Sequence, residues 1–433
     1  MGIWATARNL AEATPAERNR YVDLLRAVSI IVVIVGHWLI ATAWYHDGEF
    51  TTGHLLRDKP GTQWVTWLFQ VMPVFFIVGG YSNSVSLASA SRRGQGYADW
   101  LIVRLNRLAV PLLLLLFVWA GIAFVMRLLD VSPGVIRYMS QASLIPTWFL
   151  AIYIMVAILA PVAWRLWQRL GYLSVALFAG MAVLVDIAFF AADLRFLGWS
   201  NYFWVWLAVH QLGFAWRDDR LPGTAGRLAL GVAGFAALYV LIVHGPYPLA
   251  MVGSPDEGLS NTLPPKITLI ALGIAQFGLL LAIERPMRRA LDSIPLWTGT
   301  VLVNSMIMTV YLWHITVMIV FGGLLYLGGG AGFGLEPGTP AWWMSRPLWI
   351  GVLTALLVPL ALVLSPLERR GMPKDAVVPP AWRQVAGAMI LCFGVAMLAM
   401  LGFGGDSPLP IVAFGCVVAG AWLAGVLKGI RRN

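Results

Sequence analysis

Arg26 and His37 are the residues whose types and spacing first suggest chemistry in this chain. They lie in the stretch Arg20 to Tyr45, which opens Arg-Tyr-Val-Asp-Leu-Leu-Arg-Ala, stays almost wholly apolar to Val35, and then reads Gly36-His37-Trp38. A hydrophobic run of this length reads as a transmembrane helix, and ionisable groups inside one are costly enough to point to function. Eleven helical residues make three turns plus roughly 20°, so Arg26 and His37 share a face, with Asp23 near the same stripe. The rise separates arginine from histidine by roughly 16 Å, too far for contact but suited to one channel with Arg26 at its mouth and His37 deep inside. Histidine is the side chain whose pKa suits proton exchange with a hydroxyl near neutral pH. The plainer alternative is that Arg26 snorkels to the headgroups and His37 satisfies a helix contact.

Four further groups carry polar chemistry into apolar sequence. Met72 to Ser84 contains Pro73, the pair Gly79-Gly80 and the cluster Ser82, Asn83 and Ser84; paired glycines admit a close backbone or ligand, and the serine cluster is harder to explain by packing. Arg104 and Arg107, three apart on one helix face ahead of Pro111, suit a polyanion such as a phosphate-bearing cofactor, or are ordinary charges of the inner face. Trp148, in Pro146-Thr147-Trp148-Phe149-Leu150, reads as an interfacial anchor. Asn304, Ser305, Thr309, Tyr311 and His314 fall in one predicted span, with Asn304 and Tyr311 on one face; His314 is expected at a depth similar to His37, where the two could share a polar cavity. His210 and His244 lie nearer the ends of their spans. His46 and His54, eight apart in a predicted loop, make a weak case for a metal, and none is expected.

The elements that must position these groups follow from composition. With 59% hydrophobic and 12% charged residues, and a mean hydropathy of +0.78, the expected class is an all-α polytopic membrane protein. Spans are predicted near 22 to 44, 62 to 90, 108 to 129, 147 to 167, 172 to 192, 199 to 216, 227 to 244, 265 to 284, 299 to 325, 345 to 366, 384 to 403 and 410 to 428. Residues 1–19 form a polar N-terminal segment without a cleavage site. Of the 30 Lys and Arg residues, all but Arg57, Lys59, Arg127, Arg137, Arg195, Lys266 and Arg346 fall on the side of the N terminus. This asymmetry predicts both termini in the cytoplasm and explains the net charge of +10 without nucleic acid. The predicted external loops 45 to 61, 245 to 264 and 326 to 344 carry polar and aromatic groups that could hold a sugar or polyol, or are simply solvated. Cys392 and Cys416, the only cysteines, make neither a disulfide framework nor a metal set.

Taken in order, these features resemble the acyltransferase 3 family of integral membrane acyltransferases. The resemblance rests on Arg26 and, after ten residues, His37; Phe75-Phe76 through Gly80; Arg104 and Arg107 ahead of Pro111; Trp148-Phe149-Leu150; and Tyr311-Leu312-Trp313-His314. Glu368-Arg369-Arg370 resembles the family's terminal Glu-Arg-Pro, although a literal Glu284-Arg285-Pro286 also occurs; chain order favours Glu368. Gly79 stands where the family more often has serine. The resemblance covers about residues 18 to 371. It implies a ten-span acyltransferase membrane domain, 20–371, to which this chain adds a two-span hairpin, 384–428.

The resemblance also implies transfer of an acyl group, often acetyl, from cytosolic acyl-CoA to a hydroxyl on an acceptor at the outer face of the plasma (inner) membrane. His37 would be the general base or carry the acyl group briefly, and Arg26 would steer the donor. Arg104 and Arg107 would hold the CoA phosphates, while Asp23, Ser82, Trp148, Tyr311, His314 and Glu368 would line the cavity or contact substrate. Acyl-CoA enters as a donor substrate, with no permanently bound cofactor. A cell-envelope polysaccharide or glycolipid is the natural acceptor. Asp23 lies too far along the helix to orient His37. A secondary transporter would also place polar groups at mid membrane, but the sequence shows no repeated halves. A scaffolding protein would tolerate loss of both histidines.

Overall fold

Apolar runs of about 20 residues separated by short polar connections fold here as an all-α polytopic membrane protein. The computed structural model describes residues 2–15, 17–46, 48–253, 258–368, 377–405 and 407–427. Helix α1 (Ile3–Glu12) precedes α2 (Arg20–Ile40), which passes straight into an antiparallel hairpin of β1 (Ala41–His46) and β2 (Glu49–His54). Short turns follow, α3 (Leu55–Asp58), a 3-10 turn at Pro60–Val65 and α4 (Thr66–Phe69), and lead into α5 (Met72–Arg92). Next come α6 (Tyr97–Leu128), α7 (Pro133–Leu144), α8 (Thr147–Leu170), α9 (Tyr172–Ala191) and α10 (Asn201–Arg217). The remaining helices are α11 (Thr224–His244), α12 (Thr268–Ala282), α13 (Glu284–Ala290), α14 (Ile294–Ser305), α15 (Ile307–Leu327), α16 (Pro340–Glu368), α17 (Ala381–Leu401) and α18 (Leu409–Ala424).

Among the described residues, nine helices are long and apolar enough to cross a membrane, or ten if the bent pair α12 and α13 is one span. Every predicted span coincides with helix, but α10 and α18 have only 17 and 16 residues. Three expectations need correction. The first span ends at Ile40 rather than near 44, and the segment that follows it is a β-hairpin that takes in the start of the predicted loop. The eighth bends by 54° at Ile283, because Pro286 in the first turn of α13 has no N–H to continue the α12 ladder. The ninth breaks at Met306, where the side chains of Asn304 and Ser305 bond the carbonyls of Thr300 and Leu302 and compete with the helix ladder.

The chain forms two compact units, one of Met1–Ser86, Val162–Ile307 and Leu335–Trp343, the other of Leu87–Pro161, Met308–Gly334 and Met344–Asn433. In the first, α5 and α10 cross so closely that a Cβ at Gly80 would lie 1.9 Å from the His210 carbonyl oxygen, and one at Gly213 2.0 Å from that of Ile77. Only glycine permits that contact, the small-residue packing that replaces hydrophobic driving force between helices in lipid. In the second unit, α17 and α18 pack through Gly387, Gly394 and Gly420. Gln384 Nε2 donates to the Ala98 carbonyl at 3.0 Å, and the Phe403 N–H donates to Ser140 Oγ at 2.8 Å, fixing this hairpin to α6 and α7.

Candidate active site

Helix α2 supplies the first polar group. Asn19 caps it, its side-chain oxygen accepting from the Tyr21 N–H at 3.1 Å, so the helix starts just ahead of Asp23. Arg26 donates through Nη1 to Asp23 Oδ1 at 3.0 Å and through Nη2 to Ser82 Oγ at 2.7 Å. Asp23 also accepts from Arg18 Nε at 2.6 Å, and its backbone carbonyl accepts from Asn304 Nδ2 at 2.8 Å. Two guanidinium groups thus share one carboxylate, and the triad keeps a single net positive charge. Asp23 raises the pKa of Arg18, chiefly through this hydrogen bond. With side-chain exposures of 21% and 7%, Arg26 and Asp23 are shielded enough for the pair to fix geometry.

Further along α2, His37 hydrogen-bonds the backbone of Val33, one turn earlier. A ring N–H given to that carbonyl holds the imidazole against its own helix. The His37 carbonyl in turn accepts from the Ala41 N–H at the helix end. The residue as a whole is half-buried. Sequence reasoning left its orienting partner unnamed because a main-chain carbonyl has no sequence signal.

The second unit holds a different cluster. Tyr311 donates its hydroxyl to the Pro146 carbonyl at 2.9 Å, and its ring meets Phe149 edge-on with centroids 5.6 Å apart. Phe149 in turn meets the half-buried Trp148 at 6.3 Å. His314 is fully buried, with Nδ1 2.6 Å from the Tyr311 carbonyl oxygen. Trp148, Tyr311 and His314 are therefore neighbours through Phe149 and the helix backbone. Asn304, expected on a face with Tyr311, belongs to the first unit beyond the break at Met306. Arg104, half-buried, lies 5.6 Å from the Trp100 ring centroid, whereas Arg107 is exposed. The side chain of Glu368 lies outside the described residues.

Two groups in the first unit were passed over. His210, expected near a span end, is central in α10 and fully buried, with Nε2 3.1 Å from Asn83 Nδ2. The glycines at 80 and 213, each three residues from a member of this pair, were the available signal. Glu284, at the literal Glu-Arg-Pro, is buried and accepts from Trp216 Nε1 at 3.2 Å to both oxygens, with Arg227 and Arg288 at 3.8 Å. Among the described residues, no three His, Cys, Asp or Glu side chains gather as a metal site.

The profile of the acyltransferase domain family Acyl_transf_3 matches residues 19–366, a stretch that contains Asp23, Arg26, His37, Ser82, Arg104, Arg107, Trp148, Tyr311 and His314. No curated protein and no solved structure matches the chain.

Proposed function

The chain belongs to the acyltransferase 3 family of integral membrane acyltransferases, and on that premise we propose that it moves an acyl group, acetyl in the simplest case, from cytosolic acyl-CoA to a hydroxyl of an acceptor outside the cytoplasm. The termini then lie in the cytoplasm of a plasma-membrane protein, as the charge asymmetry suggests. A saccharide or lipid-linked acceptor of the cell envelope fits this topology. The observation that carries the proposal is His37, a half-buried histidine on an apolar helix whose ring hydrogen-bonds the Val33 backbone.

In the proposed reaction the acceptor oxygen attacks the thioester carbonyl carbon while the basic nitrogen of His37 takes the hydroxyl proton. The C–S bond breaks and the proton passes to the CoA sulfur, giving an ester and free CoA thiol. Arg26, held by Asp23 and Ser82, sets a fixed positive charge on the same helix rather than a mobile one. Arg104 and Arg107 are assigned to the CoA phosphates, and Trp148, Tyr311 and His314 to the shape of the second unit. The family's terminal glutamate is assigned to Glu368.

Release of CoA from labelled acetyl-CoA by the purified protein in liposomes tests the proposal. Turnover in the wild type that disappears in a folded His37→Ala variant supports it. Turnover that survives that substitution, or a wild type inert toward acetyl and longer acyl donors, removes it.

A further inference from the structure

The hairpin of α17 and α18 lies beyond residues 19–366, yet within the second unit it grips the helix that carries Arg104 and Arg107. That helix has a missing rung beside those arginines. The 32 residues of α6 run through Pro111, which has no N–H to give the Arg107 carbonyl and whose ring crowds it. The arm before the proline, residues 97–110, is therefore not kept in line by its own ladder alone, and its packing partners decide where the two guanidinium groups stand. One partner is α8, since the Tyr97 hydroxyl donates to the Ile158 carbonyl at 2.9 Å.

The hairpin supplies a second hold. Gln384, fully buried in the first turn of α17, donates through Nε2 to the Ala98 carbonyl at 3.0 Å and to the Pro379 carbonyl at 2.7 Å. Both partners are carbonyls, so only the amide nitrogen fits between them, and both of its N–H groups are used. Beside it α18 ends at Gly425, in the left-handed region with φ +88°, where a Cβ would lie 2.6 Å from Pro379 Cγ and 3.7 Å from Ile102 Cδ1. Arg383 Nε donates to the Leu423 carbonyl at 3.0 Å and its guanidinium lies over the Trp422 ring, closing the base of the hairpin. The far end is held separately. There Gln141 donates to the Met400 carbonyl, Arg127 to the Gly405 carbonyl, and the Phe403 N–H to Ser140 Oγ at 2.8 Å. The hairpin is thus a strut fixed near both ends of α6, and its base meets that helix at Ala98, roughly 9 Å along the axis from Arg104.

We propose that Gln384 is a positioning residue for the acyl donor: by holding the Ala98 carbonyl it sets the arm of α6 that presents Arg104 and Arg107 to the CoA phosphates. The inference rests on the acyltransferase function proposed above and gives the C-terminal hairpin a part on the donor side. Gln384 itself touches no substrate. A guanidinium grips phosphate through a fork of fixed geometry, so a shift of the arm weakens the grip without altering the chemistry at the thioester. Loss of the Gln384 amide is then felt in donor binding and not in turnover.

Turnover of labelled acetyl-CoA by the full-length protein in liposomes, with CoA binding followed by titration calorimetry, tests this in Gln384→Leu, Gln141→Ala, Arg104→Ala and the double variant Gln384→Leu/Arg104→Ala. A lost hydrogen bond of ordinary strength predicts, for Gln384→Leu, a Kd for CoA and a KM for acetyl-CoA raised by about three- to tenfold with kcat unchanged. Gln141→Ala loosens the hairpin only at its far end and should leave these constants as in the wild type. In the double variant the loss should be smaller than the product of the two single losses, because Gln384 acts through the arginines. Unchanged constants in a folded Gln384→Leu variant overturn the inference. So does a lower kcat at unchanged KM, an equal loss in Gln384→Leu and Gln141→Ala, or a full product of losses in the double variant. Should Gln384→Leu not fold, Gly425→Ala displaces Pro379 at the same base, and an unchanged KM there overturns the inference equally. A wild type that cleaves no thioester removes the acyltransferase function itself, whereas an active wild type with an unimpaired Gln384→Leu variant removes only the role of Gln384.

Discussion

His37 in the first unit and His314 in the second each hydrogen-bond a main-chain carbonyl of the preceding turn, Val33 for one and Tyr311 for the other. The surroundings then diverge. His314 is fully buried beneath an aromatic cluster whose hydroxyl is already spent on Pro146. His37 is half-buried as a residue, on a helix that also carries an ion-paired arginine and ends in a hairpin bearing His54. A histidine in an apolar helix is therefore not by itself a catalytic signal. Similar local anchoring leaves one residue fully buried and the other half-buried, and the proposed chemistry falls to the second.

That contrast predicts a separation of effects. The largest is expected for His37→Ala, which should lower kcat for acyl transfer by roughly 10²- to 10⁴-fold, the range of a lost general base, with little change in thermal midpoint. Asp23→Asn comes next. It leaves two guanidinium groups without their shared carboxylate, and stability should fall by about 2–4 kcal/mol, read as a lower thermal midpoint in detergent; unchanged stability would make the triad a surface ornament. Tyr311→Phe should cost about 1–3 kcal/mol by leaving the Pro146 carbonyl unpaired, with kcat retained in the folded fraction. A loss of kcat there instead would move the second cluster into the chemistry.

The smallest effect concerns Lys266, which is fully buried with Nζ 3.6 Å from the Phe189 ring centroid and, among the described residues, no hydrogen-bond partner. Burial pushes its amine down to about 8 from the ordinary 10.5, with Asp186 opposing. Between those values the unfolded chain binds more protons than the folded one, so stability rises with pH across that window. Lys266→Met should be more stable than the wild type at pH 7 by roughly 1 kcal/mol, given the retained cation–π contact, and the difference should shrink as pH rises from 8 toward 10.5. A difference that does not vary with pH would assign the effect to packing alone.

Span positions were legible because a helix in lipid must be apolar around most of its surface, and 20 such residues leave little ambiguity. The hairpin at Ala41–His54 was not read, although the Asp47-Gly48 dipeptide between its strands was an available signal, because its flanks lack the apolar–polar alternation that marks a strand. The break at Met306 depends on which carbonyls Asn304 and Ser305 choose, and periodicity cannot show that choice. At the site, the spacing of Arg26 and His37 was readable, and so was the presence of Asp23 on their stripe. That Asp23 is shared with Arg18, that Ser82 meets Arg26, and that Val33 orients His37 are contacts through space or main chain. His210 was set aside for its position in the span, whereas its burial against Asn83 follows from the glycine crossing of α5 and α10.

Histidine-selective carbethoxylation of the unmutated protein in liposomes, mapped by mass spectrometry with and without acetyl-CoA, tests the contrast most directly. The prediction is that His37 is modified and that acetyl-CoA protects it, while His314 stays unmodified in both conditions. Modification of His314 with protection by acetyl-CoA, and an inert His37, would contradict the assignment of the acyl-transfer base.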